Sequence, residues 1–204
     1  MRTLLIATRN RGKLKEIKQI LDDLPFNIVD LDQYPSIETV EESGSTFAEN
    51  ASLKAGGYAS QAGVLTLADD SGLMVGALGG APGVHSARYA GEGASDGDRT
   101  EELLRALASV PKTQREARFI SVVAIAQDDG KIVNLSVGEC QGQIASEPQG
   151  ADGFGYDPIF IPLGSTLTFA QLEPAEKNRI SHRARALSKA AAFLRALTPA
   201  SDDV

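Results

Sequence analysis

Apolar positions along this chain alternate between short continuous runs and stretches in which they recur every three or four residues. Residues 3–8 are an apolar run bounded by charge and predict a buried strand. Residues 11–22 carry Leu14, Ile17, Ile20 and Leu21 at helical spacing. Residues 26–31 read as a second strand, which completes a β-α-β unit. Residues 32–45 are polar and predict a loop, and Thr46 followed by Glu49 has the spacing of a capping box. The helix it starts is predicted to run to about Ala62, with Phe47, Ala51, Ala55 and Tyr58 on its core face. Thr46, Asn50 and Lys54 form a polar stripe on another face. Gly56 and Gly57 inside this helix each cost roughly 1 kcal/mol relative to Ala, which predicts close packing or a local irregularity.

The second half has the same grammar. Leu65, Leu67 and Ala68 predict a strand that ends in Asp69-Asp70, with Ser71 and Gly72 as a tight exit. Residues 76–83 hold four glycines and a proline, a loop that permits close backbone approach. Residues 96–108 are amphipathic, with Leu103, Leu104 and Leu107 on the apolar side. Residues 118–127 read as a central strand, Asp128-Asp129-Gly130 as a hairpin turn, and 131–141 as the returning strand. An antiparallel pair after a β-α-β start predicts a mixed sheet. Residues 173–197 are predicted as one long helix, and 198–204 as a polar, acidic, disordered tail. The expected organisation is a single α/β domain over 1–197 followed by that tail.

Composition narrows the partners. With 204 residues, 42% hydrophobic and 23% charged, the chain is an ordinary globular protein with a real core. A net charge of -7 argues against nucleic acid or an anionic membrane as partner, yet a local cluster can still bind a small anion. Cys140 is the only cysteine, which excludes an internal disulfide. No run approaches the ~18 apolar residues of a membrane span, and the opening residues lack a long apolar stretch. A cytoplasmic protein is the expectation.

Three sets of residues carry candidate chemistry. Asp69-Asp70, at a predicted strand end, reads either as a surface turn or as a carboxylate pair shared with a cation, Mg²⁺ or lysine. Glu42 joins these acids as a possible oxygen ligand. TRNRGK at 8–13 places Thr8, Asn10 and Lys13 at a helix start, where backbone N–H groups favour an anion; Lys13, Lys54 and Lys177 suit a polyphosphate. Phe154, flanked by Gly153 and Gly155, with His182 and Arg183, suits a planar base with polar edges. Together these are parts for a nucleoside triphosphate, a divalent cation and hydrolysis by activated water.

The motifs TRNRGK, EESGSTFAENASLKA, ADDSGL, LGGAPGVHSARYAG, GFGYDPIF and EKNRISHRARAL occur in that order over about residues 3–197. In this order and spacing the chain resembles the inosine triphosphate (XTP/dITP) pyrophosphatase family. The resemblance implies an α/β fold with a long twisted mixed sheet flanked by helices, in two lobes with a nucleotide cleft between them. It implies Mg²⁺-dependent hydrolysis of noncanonical purine triphosphates (ITP, dITP, XTP) to the monophosphate and pyrophosphate, commonly by a homodimer. Thr8–Lys13 matches the phosphate loop, and Asp70 the proton acceptor and a metal ligand. Glu42 or its neighbour Glu41 matches the other metal carboxylate, with Asp69 in support. Lys54 and Lys177 match lysines near phosphate, and Ser71 a substrate contact. Phe154, Gly155, Tyr156 and Asp157 match the base-binding segment, with Phe154 stacking on the purine, and His182-Arg183 the pair that reads its 6-oxo edge. The alternatives are a pyrophosphatase for other modified nucleotides and a nucleotide-binding module without catalysis.

Overall fold

The computed structural model describes residues 1–197. The expected tail at 198–204 lies outside the described residues. In chain order the elements are β1 (Arg2–Ile6), α1 (Arg11–Ile20), β2 (Phe26–Asp30), α2 (Phe47–Ala62), β3 (Leu65–Val75), α3 (Asp96–Ala106), β4 (Glu116–Ala126), β5 (Ile132–Ile144), β6 (Phe160–Pro162), α4 (Pro174–Ile180) and α5 (His182–Leu197). The sheet order is β2-β1-β3-β4-β5-β6. β1 runs parallel to β2 and β3, and β5 antiparallel to β6, so the sheet is mixed as the β-α-β start and hairpin predicted. Among the described residues no helix is long and apolar enough to cross a membrane.

The chain divides into two compact units. The first comprises Met1–Asp70, Val122–Val137 and the residues from Ala184 on; the second comprises Ser71–Ser121 and Gly138–Arg183. The first unit's core joins Leu4 and Ile6 of β1, Ile17 and Leu21 of the α1 region, Leu65 and Leu67 of β3, Val123 and Ile125 of β4, and Leu187 and Leu194 of α5. The second unit's core joins Leu73 and Val75, Leu103 and Leu107, and the aromatic group Phe119, Phe160 and Phe169, in which Phe119 and Phe160 meet edge-to-face at 4.7 Å.

Two sequence expectations are corrected. β3 does not stop at Asp69-Asp70; it continues to Val75, because Leu73 and Val75 are fully buried apolar residues and Leu73 N–H donates to the Ser86 hydroxyl at 2.9 Å. Gly72 is therefore a strand residue and not a tight exit. The helix predicted over 173–197 is two helices, α4 and α5, broken at Ser181, whose backbone is extended (φ -67, ψ 159). Lys54, His182 and Arg183, all candidate ligand contacts, are buried. The Gly56-Gly57 expectation is met by close packing. A Cβ on Gly56 would stand 2.9 Å from the Gly130 carbonyl oxygen, and one on Gly57 2.8 Å from Val40 Cγ2.

Candidate active site

The geometry of the first unit follows from one register. Ile6, the last residue of β1, pairs in parallel with Leu67, and Ala7 N–H donates to the Leu67 carbonyl at 2.8 Å. Asp69 therefore lies beside the loop that leads into α1. Local capping sets that loop: Thr8 Oγ1 accepts from Asn10 N–H (3.2 Å), and Asn10 Oδ1 accepts from Lys13 N–H (3.0 Å). Lys13, in the first turn of α1, then reaches Asp69 at 2.8 Å. The next residue of β3, Asp70, meets a second lysine, Lys54 of α2. Lys54 Nζ donates to Asp70 Oδ1 (2.9 Å), to the Asp69 carbonyl (2.9 Å) and to Glu42 Oε2 (2.8 Å). All three of its protons are used.

The loop carrying Glu42 is tied to the start of α2. Thr46 and Glu49 close the predicted capping box, Ser45 N–H donates to Glu49 Oε2 at 2.7 Å, and buried Asn50 accepts from Gly44 N–H at 2.8 Å. Of the adjacent acids, Glu42 is the one that reaches Lys54. Burial, with the nearby Glu42 charge, raises the Asp70 pKa above its ordinary value against the opposing pull of Lys54 and Lys13. Glu42 is more open to solvent; its partial burial raises its pKa, but the Lys54 charge and hydrogen bond, with smaller help from Asp70 and Lys13, outweigh this and hold Glu42 below its ordinary value. Burial also works against the Lys54 charge, and the two carboxylates more than offset this, so its pKa is raised. Asp70 thus combines a raised proton affinity with an oxygen, Oδ2, that is buried and has no hydrogen-bond partner among the described residues.

Glu42 and Asp70 converge on one ammonium, and Asp70 keeps a spare buried oxygen. That set of hard oxygen donors fits a divalent cation. Among the described residues no three acids stand ready as a metal cluster; the carboxylates are instead held on Lys13 and Lys54.

The second unit holds the other set. Asp157, in a short turn after Tyr156, accepts from Phe154 N–H at 2.9 Å and pairs through the same oxygen with Lys177 of α4. The Phe154 ring is half-buried, with Lys177 Nζ 4.8 Å and the Arg183 guanidinium 5.4 Å from its centroid. Arg183, 2% exposed, donates to the Ser71 hydroxyl at 3.0 Å. His182 stacks on Phe119 with ring centroids 4.5 Å apart and planes within 9°. Gly155 donates its N–H to Asp96, and Tyr156 turns inward, its hydroxyl on the Ser86 carbonyl at 2.9 Å.

The structure therefore brings the predicted residues together as two sets. Lys13, Glu42, Lys54, Asp69 and Asp70 form one; Ser71, Phe154, Asp157, Lys177 and Arg183 form the other. Thr8 and Asn10 shape the turn before Lys13, Gly155 follows Phe154 on the loop held by Asp96, and His182 stacks on Phe119; Glu41 and Tyr156 join neither set. Sequence reasoning missed Asn50 as a clamp on the Glu42 loop, Phe119 as the seat of His182, and Asp96 as the partner of Gly155. Only Asn50 carried a sequence signal, as part of the polar stripe.

A model of the Ham1 family matches residues 4–193. The chain is 46% identical over 190 residues to a protein of Oceanobacillus iheyensis named dITP/XTP pyrophosphatase, covering 93% of this chain and 96% of that one. A protein of Geobacter sulfurreducens with the same name is 49% identical over 188 residues, covering 92% and 94%. The solved structure of a HAM1 protein from Coxiella burnetii aligns with a TM-score of 0.86 at 42% identity, covering 95% of this chain and 98% of that one. The Staphylococcus aureus Ham1 protein aligns at 0.84 and 40%, covering 97% and 100%.

Proposed function

The chain belongs to the Ham1 family, and we propose that it hydrolyses noncanonical purine nucleoside triphosphates, dITP, XTP and ITP, to the nucleoside monophosphate and pyrophosphate. The observation that carries this reading is the cluster on Lys54. One buried ammonium gathers Glu42 and Asp70, and Asp70 keeps a buried, unpartnered oxygen with raised proton affinity.

The roles follow from that chemistry. Water opens the anhydride bond between the α and β phosphates; its proton passes to the Asp70 carboxylate, and pyrophosphate leaves. Lys13 and Lys54 offset the negative charge that grows on the phosphate oxygens. Glu42 and Asp70, supported by Asp69, would hold a divalent cation, which we take to be Mg²⁺; when bound it supplies Lewis-acid stabilisation of the phosphates. In the second unit Phe154 offers a ring face to the purine. Arg183 offers donors to a 6-oxo group, which a 6-amino group cannot accept. A 6-amino purine would leave a donor unpaired, at roughly 1–3 kcal/mol. The protein is proposed to work as a cytoplasmic homodimer, a state that its mass by sedimentation tests.

Product identity tests the reading. ITP, XTP, GTP and ATP are incubated with Mg²⁺ or with EDTA and the products resolved. The expected result is IMP or XMP with pyrophosphate, dependent on Mg²⁺ and weak with ATP and GTP. Diphosphate with orthophosphate would mean that the wrong bond is cut and would overturn the role given to Asp70.

A further inference from the structure

A chain of contacts in the second unit connects α3 to the loop that carries Phe154, and none of the roles above uses it. Asp96, the first residue of α3, accepts from Gly155 N–H through Oδ2 at 2.7 Å. Its other oxygen pairs with Arg99, which also donates to the carbonyls of Ala87 (3.1 Å) and Ala94. One turn further along α3, buried Thr100 lies 3.5 Å from the Gly155 carbonyl through its hydroxyl. A single helix thus holds the peptide groups on both sides of the Gly155 Cα, one by its N–H and the other by its C=O. The residue before it is anchored too, since Phe154 N–H donates to Asp157 Oδ2.

Two successive amides of an irregular loop therefore end on carboxylates, one from the loop and one from α3. Gly155 has φ +62, a left-handed conformation that glycine adopts without strain, and the two carboxylates fix the amides on either side of Phe154. Hydrogen bonds to a charged acceptor are the stronger kind and fix direction as well as distance. The residue fixed between the two anchors is Phe154, whose ring faces Lys177 and Arg183.

We propose that Asp96 is a positioning residue for purine recognition: through the Gly155 amide it fixes the backbone from which Phe154 presents its ring. This rests on the reading of Phe154 as the base-stacking residue. It assigns Asp96 to binding of the base and gives it no part in the hydrolytic step. A purely structural role is the competing account, because an acid in the first turn stabilises any helix. Asp98 provides the control: it lies in the same turn, closes the capping box with Ser95, and is not the carboxylate that holds Gly155.

The test compares D96A, D96N, T100V and D98A with the parent. For D96A the KM for ITP is expected to rise about tenfold with kcat within about twofold. Inhibition by inorganic tripolyphosphate, which has no base, should stay unchanged. D96N keeps an oxygen for the Gly155 N–H and should recover most of the loss; T100V, which removes the weaker grip, should raise KM by about two- to threefold. D98A should lower the melting temperature and leave KM alone. An unchanged KM in D96A and T100V would overturn the proposal. So would KM rising equally in D98A, or tripolyphosphate inhibition weakening in step with KM. Calorimetric titration with ITP reads the same ratios without turnover. A parent protein that binds ITP but does not hydrolyse it would overturn the hydrolase reading while the Asp96 comparison still stands; one that does neither overturns both.

Discussion

The two sets of site residues solve opposite problems. In the first unit two lysines face three carboxylates, Glu42 is partly open to solvent, and Asp70 retains an oxygen without a partner. Its bonds are almost all between full charges, and its acid–base balance depends on which cation stands nearby. In the second unit Lys177 pairs with one carboxylate, Asp157, and both Lys177 and Arg183 lie against an aromatic ring; the loop itself is held by its backbone amides. The first set is built to exchange charge, as proton transfer and cation binding require. The second is built to hold a shape, as discrimination between two flat rings requires. β3 serves both: Asp70 closes the first set, and the next residue, Ser71, receives the Arg183 hydrogen bond in the second.

If that division is right, the largest effect comes from the charge-exchanging set and appears in kcat. Asp70→Asn removes both the proton acceptor and a metal-ligating charge, and kcat for ITP should fall by about 10³-fold or more with KM near the parent value. Steady-state kinetics decide it: a fall of less than about tenfold would remove Asp70 from proton transfer. The next effect belongs to the shape-holding set and appears in selectivity. Arg183→Ala should reduce the preference for ITP over ATP by roughly tenfold or more while kcat changes little. An unchanged ratio in competition assays would take Arg183 out of base recognition.

The sequence made legible what is decided locally. Asn10 capping α1 and the Thr46–Glu49 box of α2 are signals written within three residues, and both are present as read. The sheet's mixed character followed from a hairpin turn at Asp128-Asp129-Gly130 after a β-α-β start. What stayed hidden depends on partners distant in the chain. Asp-Asp-Ser-Gly has the composition of a turn, and only the burial of Leu73 and Val75 in the second core keeps β3 extended through it. The stripe of Thr46, Asn50 and Lys54 gives no sign of which side faces water; Lys54 is drawn inward by carboxylates from Glu42 and Asp70. Nothing in the sequence shows that His182 of α5 stacks on Phe119 of β4, more than sixty residues earlier. Ser181 did carry a local signal, since Ser is a favoured residue just before a helix and its extended backbone separates α4 from α5.

The smallest effect sharpens the comparison most directly, because it reads charge exchange without catalysis. In Asp70 burial raises the pKa and Lys54, then Lys13, oppose it; in Glu42 burial also raises it, and Lys54 tips the balance downward. Lys54→Met leaves the burial and removes the larger opposing charge, so both carboxyl groups should titrate at higher pH than in the parent. The sign for stability follows. A carboxyl whose folded pKa lies above its unfolded value contributes stability below the unfolded pKa and loses it as pH rises through the folded pKa. Asp70 already has that sign in the parent, whereas Glu42, with its lowered pKa, contributes above the unfolded value and loses it on acidification. In Lys54→Met, Asp70 should keep its sign and extend it to higher pH, while the Glu42 contribution should shrink or reverse. Raising the pH from about 5 to 7 should then weaken the variant more than the parent. Carboxyl-carbon NMR titration with a chelator present, beside denaturant melts at the two pH values, measures both. Unchanged titration of Asp70 in the variant would mean that Lys54 does not govern the charge of this set. The distinction between a charge-exchanging half and a shape-holding half would then rest on Lys13 alone.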